Sequence, residues 1–89
     1  YIRLDIADPE QVRKTLVEVR PDAVLHLAAI SFVPDAERDF ARAMRVNVAG
    51  TDSLCRTLIE ERIDAKFLFV SSPEVYGIAP SEAMPLTEN

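Results

Sequence analysis

A hydroxyl and a carboxylate stand two residues apart near the end of the chain, in Ser71-Ser72-Pro73-Glu74. They follow an apolar run, Lys66 to Val70, that is typical of a buried strand, so both side chains can face a crevice beyond its carboxyl end. Ser72 could orient a substrate hydroxyl, and Glu74 could act as acid or base. The alternative is a turn in which Ser72 caps a short helical turn and Glu74 is solvated. From these two residues alone, the turn is the better interpretation.

A second polar pair, Asn47 and Thr51, lies within a helical pattern. At 100° per residue the pair falls in the middle of a stripe about 80° wide, whose other members are apolar: Phe40, Met44, Leu54 and Leu58. A buried amide or hydroxyl needs a hydrogen-bond partner, either in a neighbouring strand end or in a ligand. Alternatively, Thr51 bonds back to its own helix and Asn47 caps a break between two helices. Gly50 in this helix predicts the close approach of another backbone or a ligand.

The other residues with chemical potential give weaker signals. His26 lies inside an apolar strand pattern without a second histidine or a cysteine nearby, which favours a hydrogen-bonded core histidine. Cys55 has apolar helical neighbours and is interpreted as a packing residue. Asp5 ends a strand pattern, where its carboxylate could accept from an adenine amino group, but aspartates are common at strand ends.

Composition excludes several classes of function. The chain has 89 residues and a formal net charge of -5, and it contains no cluster of basic residues, which argues against binding nucleic acid. The longest apolar stretch, Ala23 to Ile30, is too short to span a bilayer and predicts no membrane partner. A single cysteine permits no internal disulfide, and no zinc-ligand cluster occurs. These features predict a cytoplasmic protein without a metal.

The elements that must position these residues alternate between strand and helix. Tyr1 to Leu4 is predicted as a strand. Asp8, Pro9 and a capping box completed by Gln11 predict a helix over 9–20. The apolar run 23–29 predicts a strand covered on both faces, followed by the second helical pattern and a strand over 66–70. This order indicates an α/β fold with a doubly wound parallel sheet.

Ligands of such sheets bind beyond the carboxyl ends of the strands. The segments at those ends are Asp5-Ile6, Ala28 to Ser31 and Ser71 to Tyr76. Neither end of the chain resembles a natural terminus, so we expect a piece of a larger protein.

Four ordered motifs give the chain a specific resemblance: Asp5-Ile6-Ala7-Asp8, the run from Arg20 to Ala29, Asn47-Val48-Ala49-Gly50-Thr51, and the run from Phe69 to Gly77. In order and spacing they resemble the central part of the extended short-chain dehydrogenase/reductases, the nucleotide-sugar epimerase/dehydratase group. Ala28 to Val33 and Met84 to Glu88 look most like the GDP-mannose 4,6-dehydratases and the GDP-6-deoxy-4-ketomannose reductases.

The resemblance implies a role for each site residue and NAD or NADP as cofactor. Asp5 would accept the adenine amino group, and the Ile6 backbone would meet the ring. Leu27, Ala28 and Ala29 would pass beneath the pyrophosphate and nicotinamide ribose, Ser31 would lie near the sugar, Val46 would line the nicotinamide side, and Asn47 would brace the strand end. Ser72 would hydrogen-bond the sugar O4, and Glu74 would take the C5 proton in a dehydratase.

The family's other motifs are absent from residues 1–89. The glycine-rich phosphate loop should lie upstream of Tyr1, and the catalytic Tyr-x-x-x-Lys should lie downstream of Asn89. Tyr76 cannot replace that tyrosine, because Pro80 stands where the lysine is needed. Pro73 stands where dehydratases of the dTDP-glucose type have an aspartate, which counts against that type.

The sequence therefore predicts the central fragment, 1–89, of one NAD(P)-binding Rossmann domain. Its parent would act at C4 of a nucleotide-sugar hexose as a homodimer or homotetramer, and the fragment alone would be inactive. Two alternatives stay open, a UDP-sugar 4-epimerase and a non-catalytic nucleotide-binding module.

Overall fold

The structure, a computed structural model, describes residues 1–72. Its helices and strands are, in chain order, α1 (Pro9–Val19), β1 (Ala23–His26), α2 (Val33–Arg38), α3 (Phe40–Met44), a π-helical turn (Arg45–Ala49), α4 (Gly50–Glu60) and β2 (Lys66–Phe69). The longest helices of this part of the chain have 11 residues. None is long and apolar enough to cross a membrane.

Helix α1 begins as its sequence predicts, although its cap differs in detail. The Asp8 carboxylate accepts from the backbone N–H of Glu10 and of Gln11, at 3.0 and 3.3 Å. These bonds lower the pKa of Asp8, with the Gln11 backbone N–H contributing most. Only half of the predicted capping box forms. The Gln11 backbone N–H bonds to Asp8, but the Asp8 N–H bonds to the Asp5 carbonyl instead of the Gln11 side chain. That side chain accepts from the Asp5 N–H at 3.1 Å and donates to Oδ2 of Asp8 at 2.8 Å. The cap thereby ties α1 to the segment that contains Asp5.

The two strands pair in parallel, with Ala23 opposite Lys66 and His26 opposite Phe69. The predicted parallel arrangement and α/β class are therefore confirmed. Strand β1 ends at His26 rather than at residue 29, because its partner ends at Phe69. The prediction of a strand at Tyr1–Leu4 is wrong for residues 1–72, since this segment is hydrogen-bonded to no strand among them.

Helices α1 and α4 cover one face of the sheet. The core consists of Val12 and Leu16 from α1, Leu58 from α4, and Ile63, all at most 8% exposed. On the opposite face, Leu25, Leu27 and Leu68 are 58%, 66% and 61% exposed. The prediction that β1 is covered on both faces is therefore not met within residues 1–72.

The second helical pattern is interrupted by the π-helical turn. Phe40 and Met44 are 69% and 43% exposed, so the predicted buried stripe is wrong at these positions, whereas Leu58 is buried. A π turn holds an extra residue, which rotates the preceding side chains away from the face defined by α4. Gly50 follows this turn, and a Cβ there would lie 3.0 Å from Cγ1 of Ile6 and 3.2 Å from its carbonyl oxygen. The predicted close approach of another backbone is confirmed.

Candidate functional site

The loop after β1 is held by one side chain, that of Asn47 in the π-helical turn. Its Oδ1 accepts from the Ile30 backbone N–H at 2.7 Å, and its Nδ2 donates to the Ile30 carbonyl at 3.0 Å. The amide therefore satisfies both backbone groups of one residue, as a neighbouring strand would. This is the bracing of the strand end that the resemblance implies. Asn47 does not act as a helix cap, which was the alternative interpretation.

Thr51 connects this brace to β1. Its hydroxyl donates to the Asn47 carbonyl at 2.8 Å and lies 2.8 Å from Nε2 of His26. Because a hydroxyl has one proton and the carbonyl receives it, Nε2 of His26 must be the donor to Thr51. Thr51 thus bonds back to its own helix, as one interpretation predicted, and also reaches the strand.

His26 is a buried, hydrogen-bonded histidine, as predicted. His26 is 5% exposed. The centroid of its ring lies 6.0 Å from that of Phe67 and 5.8 Å from that of Phe69. Burial lowers the pKa of His26 below its ordinary value of 6.5. The imidazole is therefore neutral at pH 7, with its proton directed at Thr51.

A groove of about 750 Å³ lies on the Asp5 side of the loop after β1. We call it the Asp5 groove. It brings together five of the seven predicted cofactor-binding residues, namely Asp5, Ile6, Ala28, Ala29 and Val46. Asp5 accepts from the Ala7 backbone N–H at 2.9 Å, which uses part of its capacity, since a carboxylate has about four acceptor positions. The small apolar residues beside it form a surface suited to a flat ring.

A second groove, of about 420 Å³, lies on the other side of the same loop. We call it the Ser72 groove. It is lined by the two remaining predicted cofactor-binding residues, Leu27 and Ser31, and by the predicted catalytic Ser72. Ala28 and Ala29 line both grooves, so the grooves meet at the loop that Asn47 braces. Glu74, the other predicted catalytic residue, lies outside the described residues.

Sequence reasoning missed several features of this site. The π-helical turn breaks the period of 3.6 residues. In the sequence, only Asn47 and the nearby Gly50 hinted at such a break. The partner of Asn47, Ile30, is 17 residues away and has no motif of its own. Arg3 and Arg42 also line the Asp5 groove. Arg42 is on α3 and Val46 is in the π-helical turn that follows it, and both line this groove. Within residues 1–72, no group of side chains could hold a metal ion.

The chain has recognisable relatives among known proteins. A family model described as the NAD dependent epimerase/dehydratase family matches residues 1–89. The chain is 38% identical to GDP-6-deoxy-D-mannose reductase of Pseudomonas aeruginosa over 97% of its own length and 28% of the relative's. It is 34% identical to UDP-glucose 4-epimerase of Drosophila melanogaster, over 99% of this chain and 24% of that protein.

Among solved structures, the chain is similar to the NADPH complex of RMD from Pseudomonas aeruginosa. The TM-score is 0.82 at 38% identity, over 98% of this chain and 29% of that one. The chain thus spans about a quarter of the length of the relatives it matches. The fold is that of part of a Rossmann domain. Because the family model covers all 89 residues, the chain belongs to the NAD dependent epimerase/dehydratase family.

Proposed function

We propose that this chain is the central segment of a single NAD(P)-binding Rossmann domain, in an oxidoreductase that acts at C4 of a nucleotide-sugar hexose. The proposed type is a GDP-mannose 4,6-dehydratase or a GDP-4-keto-6-deoxymannose reductase. One observation carries the proposal: the grooves lined by the cofactor-binding and catalytic candidates meet at the loop braced by Asn47. A cofactor in one groove and a sugar in the other would be in contact there. The similarity to a GDP-6-deoxy-D-mannose reductase supports this type.

The Asp5 groove suits the dinucleotide. Asp5 accepts the adenine amino group, and Ile6 meets the ring with its backbone. Ala28 and Ala29, with Leu27 from the Ser72 groove beside them, lie beneath the pyrophosphate and nicotinamide ribose, and Val46 lines the nicotinamide side. When bound, the dinucleotide supplies or accepts the hydride. Alanines at 28 and 29 let a ligand approach the loop closely, and the brace at Ile30 holds that loop in place.

The Ser72 groove suits the sugar. Ser31 lies near the hexose, and Ser72 hydrogen-bonds its O4, which orients C4 for hydride transfer. In a dehydratase, Glu74 removes the C5 proton, which is acidic once C4 is a ketone. In a reductase this proton stays in place and Glu74 is not needed.

A 4-epimerase acting on a UDP-sugar is the second candidate, favoured by the 34% identity to UDP-glucose 4-epimerase. It would need Ser72 for the same contact with O4. It has no proton to remove at C5, so Glu74 would again be idle.

Two substitutions in the full-length protein test these assignments, and the first separates a dehydratase from the other two reaction types. If the protein is a dehydratase, Glu74→Gln should lower turnover of GDP-mannose by about 10² to 10⁴-fold and abolish solvent-deuterium exchange at C5. Ser72→Ala should lower turnover in every case. Ser53→Ala is the matched control, because Ser53 is on α4 and lines neither groove. Unchanged turnover in the Ser72 variant, with GDP- and UDP-sugars both assayed, would overturn the proposed function.

Two coarser expectations accompany the proposal. We propose a cytoplasmic protein that assembles as a homodimer or homotetramer and binds neither nucleic acid nor a membrane. The acidic composition, with a net charge of -5, supports the absence of nucleic acid. Sedimentation equilibrium of the full-length protein tests the assembly.

A further inference from the structure

Two arginines line the Asp5 groove together with the proposed cofactor-binding residues. Arg3 comes two residues before Asp5, and Arg42 is on α3, one helical turn before Val46. Asp5 is the one carboxylate among the residues that line this groove. The groove is therefore a cationic patch on a chain whose formal net charge is -5.

Neither guanidinium is neutralised by a carboxylate within residues 1–72. Other arginines of this part of the chain do have acidic partners: Arg13 with Glu60 and Glu61, Arg38 with Asp35, and Arg56 with Asp52. Asp35 and Asp39 share a smaller cavity with Arg42. Asp35 is paired with Arg38, and Asp39 accepts from the Arg42 backbone N–H at 3.0 Å, so both have partners of their own.

A guanidinium presents a planar set of donors that matches the oxygens of a phosphate. We propose that Arg3 and Arg42 form a phosphate-binding pair for the dinucleotide. This inference rests on the proposed function, because it takes the groove to be the cofactor site. Two phosphate sources fit the same chemistry. One is the 2′-phosphate of the adenosine ribose, which NADP has and NAD lacks, and the other is the pyrophosphate that both share.

The test measures the Kd of NADPH and of NADH for the full-length protein by titration calorimetry. Arg3→Gln and Arg42→Gln should each weaken binding at least about tenfold, and the loss should shrink in high salt. Arg45→Gln is the matched control: it removes the same charge three residues from Arg42, at a position that does not line the groove. If a glutamine variant fails to fold, Arg42→Lys, which keeps the charge and loses the fork, replaces it and should bind with intermediate affinity.

Comparing the loss for NADPH with the loss for NADH identifies the phosphate. A loss confined to NADPH assigns the pair to the 2′-phosphate, and an equal loss for NADPH and NADH assigns it to the pyrophosphate. Unchanged Kd values in both arginine variants, or the same loss in Arg45→Gln, would overturn the proposal. A wild-type protein that binds neither dinucleotide would instead refute the proposed function.

Discussion

Two regions of the molecule are held together by different forces. Where α1 and α4 pack on the sheet, Val12 is 1% exposed and Leu58 8% exposed, and burial of apolar surface is the stabilising force. At the carboxyl end of β1, single polar side chains hold the chain: Asn47 on Ile30, and Thr51 between Asn47 and His26. Burial is not directional, whereas hydrogen bonds fix positions. The first region therefore maintains the fold, and the second maintains the geometry of the grooves.

This contrast makes the two regions separable by mutation. A change in the apolar core should lower the free energy of unfolding and leave the Kd of the cofactor unchanged while the protein stays folded. A change in the polar network should raise the Kd of the cofactor even when it lowers the free energy of unfolding only slightly. The substitutions that follow are described for the full-length protein, beginning with the largest expected effect.

Leu58→Ala should lower the free energy of unfolding by about 2 to 5 kcal/mol, because it leaves a cavity between α1 and α4. Urea denaturation measures this loss, and calorimetry well below the melting temperature should give the wild-type Kd for NADPH. Cys55→Ala, on the same helix but only half-buried, is the control and should cost clearly less. A Leu58 variant of wild-type stability, or one with an altered Kd when folded, would erase the distinction between the regions.

Asn47→Ala should lower the free energy of unfolding by about 1 to 3 kcal/mol and weaken NADPH binding, because it leaves the Ile30 N–H and carbonyl without their partner. Thr51→Val should have a smaller effect of the same kind, since it removes the bonds to Asn47 and His26 but leaves the Ile30 brace in place. The two Kd values and melting temperatures check this ranking. Cys55→Ala should leave turnover unchanged. If neither variant alters Kd or melting temperature, the polar network does not hold the groove.

The features predicted correctly from the sequence are those encoded locally. Asp8 and Pro9 are adjacent residues, and they predict the start of α1. The alternation of strand and helix patterns predicts the parallel pairing of β1 with β2. Gly50 predicted a close approach because a glycine within a helix is costly without one.

The errors concern features that depend on distant partners or on broken periodicity. A strand at Tyr1–Leu4 requires a hydrogen-bonded neighbour, and residues 1–72 provide none. The predicted burial of Phe40 and Met44 was wrong because it assumed an unbroken helical period, and the π-helical turn interrupts that period. Asn47 was recognised as needing a partner, but only the folded chain identifies Ile30 as that partner.

The smallest predicted effect is a pH dependence that originates at His26, where the two regions meet. Burial lowers the pKa of His26 in the folded protein below 6.5, its ordinary value in an unfolded chain. As the pH falls through 6.5, the unfolded chain gains a proton that the folded protein does not, so stability decreases with falling pH until the folded pKa is reached. One proton limits the slope to about 1.4 kcal/mol per pH unit.

Urea denaturation between about pH 5 and pH 7.5 should therefore show a steeper pH dependence for the wild type than for His26→Gln, which keeps a donor for Thr51 but cannot titrate. Parallel curves would mean that His26 is not held neutral by burial. A wild type that gains stability as the pH falls would reverse the sign, and would show that the folded protein stabilises the imidazolium instead.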